Sequence, residues 1–152
     1  MTPHFNLAEF TASDVAARQG LNNSMPPFLV PAATETLQVL ERIRAALCSL
    51  AGHHVPIIIT SGYRSPAVNA AVGSRDTSDH QRAAAVDWKA PAFGTPLEIC
   101  CALAPQVGVL RIGQLIYEFG TWVHTSTRAP AKPANRIITI NRAGARVGIV
   151  DA

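Results

Sequence analysis

His80, Asp87 and His124 are residue types that ligate a divalent metal ion. A hydrolytic zinc site keeps three protein ligands and leaves a fourth corner open. Two neutral imidazoles and one carboxylate leave such a site with a net charge of about +1, enough to acidify water. Asp87 interrupts the apolar run Ala83-Ala84-Ala85-Val86 just before Trp88. A carboxylate in a half-buried strand needs a partner, because desolvation of an unpaired charge is costly. A metal ion is one such partner and an arginine salt bridge is another, and spacing alone leaves both open.

Glu118 is an acid set between Tyr117 and Phe119, six positions before His124. In one straight strand the two would stand roughly 20 Å apart. A reversal at Gly120 brings them together, and parity then decides. A two-residue loop, Gly120-Thr121, would pair Glu118 with Val123 and send His124 to the opposite face. A three-residue loop or a bulge would pair Glu118 with His124 on one face. The odd count is predicted, since a general base must reach the attacking water. The competing reading of Glu118 is a surface acid on an edge strand.

The elements that must position these groups follow from local signals. Asn6 and Ser13 cap short helical turns within residues 5–20, with Gly20 as a stop. Leu37, Leu40, Ile43, Leu47 and Leu50 recur at helical spacing over residues 32–50, opened by Pro31 and closed by Gly52. Residues 55–60 read as a buried strand through Ile57, Ile58 and Ile59. Ser65-Pro66 then opens a helix, which leaves Arg64 between a strand end and a helix start, where chemistry is often displayed. A polar loop leads to a strand at 84–90. Thr95-Pro96-Leu97-Glu98 is a capping box, and its helix ends before Pro105. Further strands are expected at 114–119, 122–125, 136–141 and 147–150. The order predicts a single α+β domain over 1–152, with helices on one side of a small, mainly antiparallel sheet.

The chain has 152 residues, 48% hydrophobic and 15% charged, enough apolar mass for a core. It lacks an apolar run long enough to span a bilayer, and MTPHFNLAEF does not read as a signal peptide. The expectation is synthesis in the cytoplasm without a signal peptide and no membrane insertion. Cys48, Cys100 and Cys101 read as reduced thiols rather than a disulfide framework. The net charge of +3 is concentrated late, in Arg128, Lys132, Arg136, Arg142 and Arg146. A basic tail can attract a polyanion or simply keep a surface soluble, and the absence of aromatic–basic interleaving argues against nucleic acid. His53 and His54 read as solvated loop residues, Trp88 as core, and Tyr63 and Asn69 as residues that fix the turn around Arg64.

SGYRSPAVN, then SDH with Asp87 seven positions after the histidine, then IYEF and WVHTS, resemble the zinc D-Ala-D-Ala carboxypeptidase family. That family includes phage endolysin peptidases and shares its fold with the signalling domain of hedgehog proteins. HFNLAEFTASDVAARQG and LNNSMPP are similar to the opening of its small phage and bacterial members, so the resemblance covers residues 4–126. It implies a zinc ion held by His80, Asp87 and His124. It implies that Glu118 takes a proton from the attacking water and gives it to the leaving amine. Arg64 would hold the substrate's carboxylate or the scissile carbonyl oxygen. Ser78 and Asp79 would bind substrate or orient His80, and Trp122 would wall the pocket. The gap from Glu118 to His124 is like that of the hedgehog-type members; others place the acid where this chain has Thr121. Members often have glycine a few residues after the first histidine, where this chain has Gln81-Arg82-Ala83-Ala84. Alanine there implies an ordinary backbone conformation or a tighter pocket.

The expected function is that of a zinc metallopeptidase cutting bacterial peptidoglycan stem peptides, at D-Ala-D-Ala or at L-Ala-D-Glu. It would act as a monomer on the cell wall after release. The alternatives are a non-catalytic zinc-containing cell-wall binding module, and a polyanion binder with a structural metal.

Overall fold

Capping chemistry sets where the helices begin. In the computed structural model, which describes residues 1–151, Asn6 and Ser13 each accept a backbone N–H three residues on. They open α1 (Leu7–Thr11) and α2 (Asp14–Gln19), and Gly20 ends α2 in the left-handed region at φ 63°. α3 (Val30–Ala51) buries Leu37, Leu40, Ile43 and Leu47. Leu50, expected on the same stripe, is 57% exposed, because the last turn runs past the core.

β1 (Ile58–Ser61) starts later than residues 55–60 suggested and is not buried. Val55 is fully buried but lies before the strand, while Ile58 is 53% exposed. The strand is outermost in its sheet, so one of its faces meets solvent. A run of three isoleucines looks the same on an edge as in a centre, which is why composition overstated its burial.

α4 (Pro66–Ala71) follows, capped by Ser65, then β2 (Ala85–Lys89) and α5 (Pro96–Leu103). The Thr95–Glu98 capping box forms in both directions. β3 (Gln114–Glu118), β4 (Trp122–Ser126), β5 (Ile137–Asn141) and β6 (Gly144–Val147) complete the chain. The last strand lies three residues earlier than the apolar run at 147–150 implied. The Asn141 side chain accepts the Ala143 N–H at 2.8 Å, closing a tight turn that brings Gly144 straight into pairing.

The sheet order is β1-β2-β4-β3-β5-β6, antiparallel throughout except for β3 beside β5. This is an open-sheet α+β fold. Strand alternation splits the sheet into two faces. Val86, Trp88, Leu115, Tyr117 and Val123 enter one core cluster with the buried stripe of α3 and with Ile99, Cys100 and Leu103 of α5. Burying each of the larger side chains contributes about 1.5–3 kcal/mol. Trp88 is fully buried, and its Nε1–H donates to Thr125 at 3.0 Å. The opposite face carries Asp87, Glu118, Trp122 and His124. Among the described residues, no helix is long and apolar enough to cross a membrane.

Candidate metal centre

Asp87 and His124 are direct register partners across β2 and β4. Their side chains therefore leave the sheet on the same face, a few ångströms apart. His80 arrives from a 3-10 turn, Asp79–Arg82, that Ser78 caps by accepting the His80 N–H at 3.3 Å. One ligand atom from each of His80, Asp87 and His124 lies within 4.8 Å of the other two. His80 is 3% exposed and Asp87 4%.

The ring of His80 is held by a specific contact. Its Nδ1 lies 2.7 Å from the Gly62 carbonyl oxygen. A carbonyl can only accept, so Nδ1 carries the proton and Nε2 of the neutral ring is an acceptor. That Nε2 faces Asp87 Oδ1 at 3.3 Å. Two acceptors face each other there, which is stable only with a proton or a cation between them. Asp87 Oδ1 also accepts from His124 Nδ1–H at 2.7 Å, a position where a proton and a metal ion compete. This donor set of two imidazoles and one carboxylate fits zinc.

Burial would raise the Asp87 pKa, but the charges and hydrogen bonds of His80 and His124 outweigh it and hold the carboxyl well below its usual range. Burial would lower the His124 pKa, yet the hydrogen bond and charge of Asp87, with a further contribution from Glu118, raise it above the ordinary imidazole value.

The arginine partner of Asp87 is present as well. Arg64 Nη2 donates to Asp87 Oδ2 at 2.7 Å, and Arg64 Nε donates to Ser61 Oγ at 2.9 Å. The two carboxylate oxygens are thus divided, Oδ1 toward the imidazoles and Oδ2 toward the guanidinium. Ser61 is aimed by a register shift in β1 between Ile59 and Ser61, which sets it opposite Asp87.

The loop between β3 and β4 holds three residues, 119–121, the odd count expected from parity. The expected pairing of Glu118 with His124 does not occur: a three-residue loop sets Glu118 opposite Trp122 and His124 opposite Ile116, so Glu118 sits diagonal to His124 on the same face. Glu118 Oε2 lies 3.9 Å from His124 Nδ1 and accepts from Trp122 Nε1–H at 2.9 Å. Trp122 therefore orients the acid as well as flanking the site.

Asp79 is engaged with protein. It accepts from Ser126 Oγ at 2.7 Å and from Arg128 Nη1 at 2.8 Å, fixing the turn below His80. Asn69 donates to the carbonyls of Ser74 and Arg75, and Tyr63 donates its N–H to Phe10 O, so both hold the segment around Arg64.

Ala83 does not take the ordinary conformation that alanine implied. It sits at φ 54° in the left-handed region, ending the turn that carries His80. Its carbonyl accepts from Thr36 Oγ1 of α3 at 2.8 Å, and the residue is fully buried. A glycine conformation is thus imposed on an alanine, at a cost of about 1–2 kcal/mol.

Sequence reasoning missed Ser61, Gly62, Thr36 and Ser126 as supports of the centre. Gly62 alone left a signal, a glycine beside Tyr63-Arg64, but the turn expected around Arg64 already accounted for it. A family model described as Peptidase M15 matches residues 3–126. Among curated proteins, none matches the chain.

Proposed function

The chain belongs to the peptidase M15 family, and we propose that it is a zinc metallopeptidase that hydrolyses peptide bonds in bacterial peptidoglycan stem peptides. The single observation that carries this reading is the convergence of His80, Asp87 and His124 within 4.8 Å. His80, Asp87 and His124 would hold the ion. When bound, zinc supplies a Lewis acid that polarises the scissile carbonyl and makes water easier to deprotonate.

The chain's own groups supply the rest. Glu118, 3.9 Å from His124 and steadied by the Trp122 N–H, takes a proton from the attacking water and passes it to the leaving amine. Arg64 holds Asp87 in place through Oδ2, and the part of its fork not spent on Asp87 and Ser61 faces the substrate's oxygen. Ser78 and Asp79 serve the reaction by fixing the turn of His80. The scissile bond is D-Ala-D-Ala or L-Ala-D-Glu, and the place of action is the wall.

Mass spectrometry of peptidoglycan digested by the wild type, the chelator-treated protein and Glu118→Ala tests this. New peptide termini are expected from the wild type with zinc alone. Equal release by Glu118→Ala would remove Glu118 as the base. Binding to the wall without release by any of the three would replace the peptidase reading with a binding module.

A further inference from the structure

The span matched by the family model stops at Ser126, yet the chain continues into β5 and β6. β5 lies parallel to β3 with Ile140 opposite Glu118, and the Phe119 N–H donates to the Ile140 carbonyl at 2.8 Å. Two turns are thereby held side by side, 119–121 and 142–143. Between them runs a groove of about 690 Å³, lined by Phe119, Gly120, Thr121, Asn141, Arg142 and Ala143.

This groove is joined to the metal centre. Phe119 is 47% exposed, and its ring lies against Trp122 with centroids 5.7 Å apart. Trp122 is the residue that donates to Glu118. Phe119 also holds a left-handed backbone conformation, at φ 53°, which bulky side chains rarely adopt.

The charge at the groove is uncompensated. Arg128 is spent on Asp79, and Arg136 on the carbonyls of Val107 and Ile112. Arg142 is exposed and makes no hydrogen bond or ion pair among the described residues. The Asn141 side chain fixes its turn, so the guanidinium is presented from a set backbone position. No acidic side chain lines the groove.

We propose that the groove is a substrate subsite for a carboxylate-bearing part of the peptide, with the apolar portion on Phe119 and the carboxylate on Arg142. A guanidinium grips a carboxylate through two parallel N–H bonds, a geometry an amide cannot match. The proposal rests on the peptidase reading above and adds to it a preference for acidic peptides, supplied by Arg142, which lies outside the matched span.

Two wall-type peptides test it, identical but for a carboxylate, free or amidated, away from the scissile bond. For the wild type, KM is expected to be about fivefold lower for the acid, the range of one exposed ion pair. Arg142→Gln should abolish that difference. Arg146→Gln, on β6 and outside the groove, should keep it. A preference that survives in Arg142→Gln, or none in the wild type, would overturn the subsite. If the wild type cuts neither peptide, the peptidase reading fails instead. Equilibrium binding of the same two peptides to wild type and Arg142→Gln then judges the groove by the same ratio.

Discussion

Gly62→Ala is the substitution that most directly tests how the centre is held. A Cβ at Gly62 would stand 2.1 Å from Phe10 O and 2.7 Å from Phe10 Cδ2. Phe10 is fully buried, and its carbonyl belongs to α1, so no flexible tip can swing away. Relief needs a displacement of about 1 Å, and overpacking of this kind costs about 1–3 kcal/mol. The same displacement moves the Gly62 carbonyl that sets the His80 ring at 2.7 Å. Disturbing a group that orients a metal-ligating histidine lowers metal affinity about 10–100-fold. The variant should therefore lose stability in urea denaturation and bind zinc more weakly in competition with a chromophoric chelator. Gly108→Ala, where an added Cβ meets nothing, is the control and should shift stability by less than about 0.5 kcal/mol. Wild-type zinc affinity in a destabilised Gly62→Ala would show that the carbonyl does not position His80. Wild-type stability would show that the approach to Phe10 is not tight.

Arg64→Gln should cost about 3 kcal/mol by leaving the buried Asp87 carboxylate with one partner fewer, and should weaken zinc binding in the same competition assay; a loss confined to KM would mean that Arg64 acts on substrate alone. Trp122→Phe keeps a ring but removes the N–H on Glu118, so kcat should fall about fivefold with KM unchanged. For chelator-treated protein, the His124 pKa is raised above 6.5, so its contribution to stability is complete below that value and is lost as pH climbs through the higher folded value. The Asp87 pKa is lowered from 3.8, so its contribution is present above that value and is lost as pH falls. The melting temperature should therefore drop as pH rises above 6.5, and a flat profile would contradict the His124–Asp87 bond. Arg111→Gly, at an exposed position with φ 58°, should gain about 1 kcal/mol by relieving left-handed strain, readable as a higher denaturation midpoint.

Caps were legible in the sequence because they are local. Asn6, Ser13, Ser65 and the Thr95–Glu98 box act within one helical turn, and the structure places each as a cap. For the loop between Glu118 and His124, counting narrowed the outcome to two parities, and the need for Glu118 and His124 to share a face chose the odd one that the structure has. What was not legible depends on partners distant in the chain. Ile58 gives no sign that its strand will be outermost, since that depends on which strands join the other side. Ala83 gives no sign of its left-handed backbone, because the constraint comes from Thr36 and from the turn of His80. Arg64 was legible as an arginine displayed between a strand end and a helix start, but its hold on Asp87 required knowing that Ser61 stands opposite that aspartate. The sequence posed metal ion and arginine as rival partners for Asp87; the fold turns Oδ2 to the guanidinium and Oδ1 to the two imidazoles that could share an ion with it.

The parallel seating of β5 against β3 has a consequence for breathing motions. Without it, the ribbon bearing Glu118 would end the sheet, with a row of bare amides and carbonyls free to open or to zip onto a foreign chain. With it, those amides are sealed on both flanks, so they should resist deuterium exchange as long as the most protected part of the molecule. Glu118 thus rides on a stiff rail, and clipping the chain after Ser126 would leave its carboxylate in place on paper and its aim loose in practice.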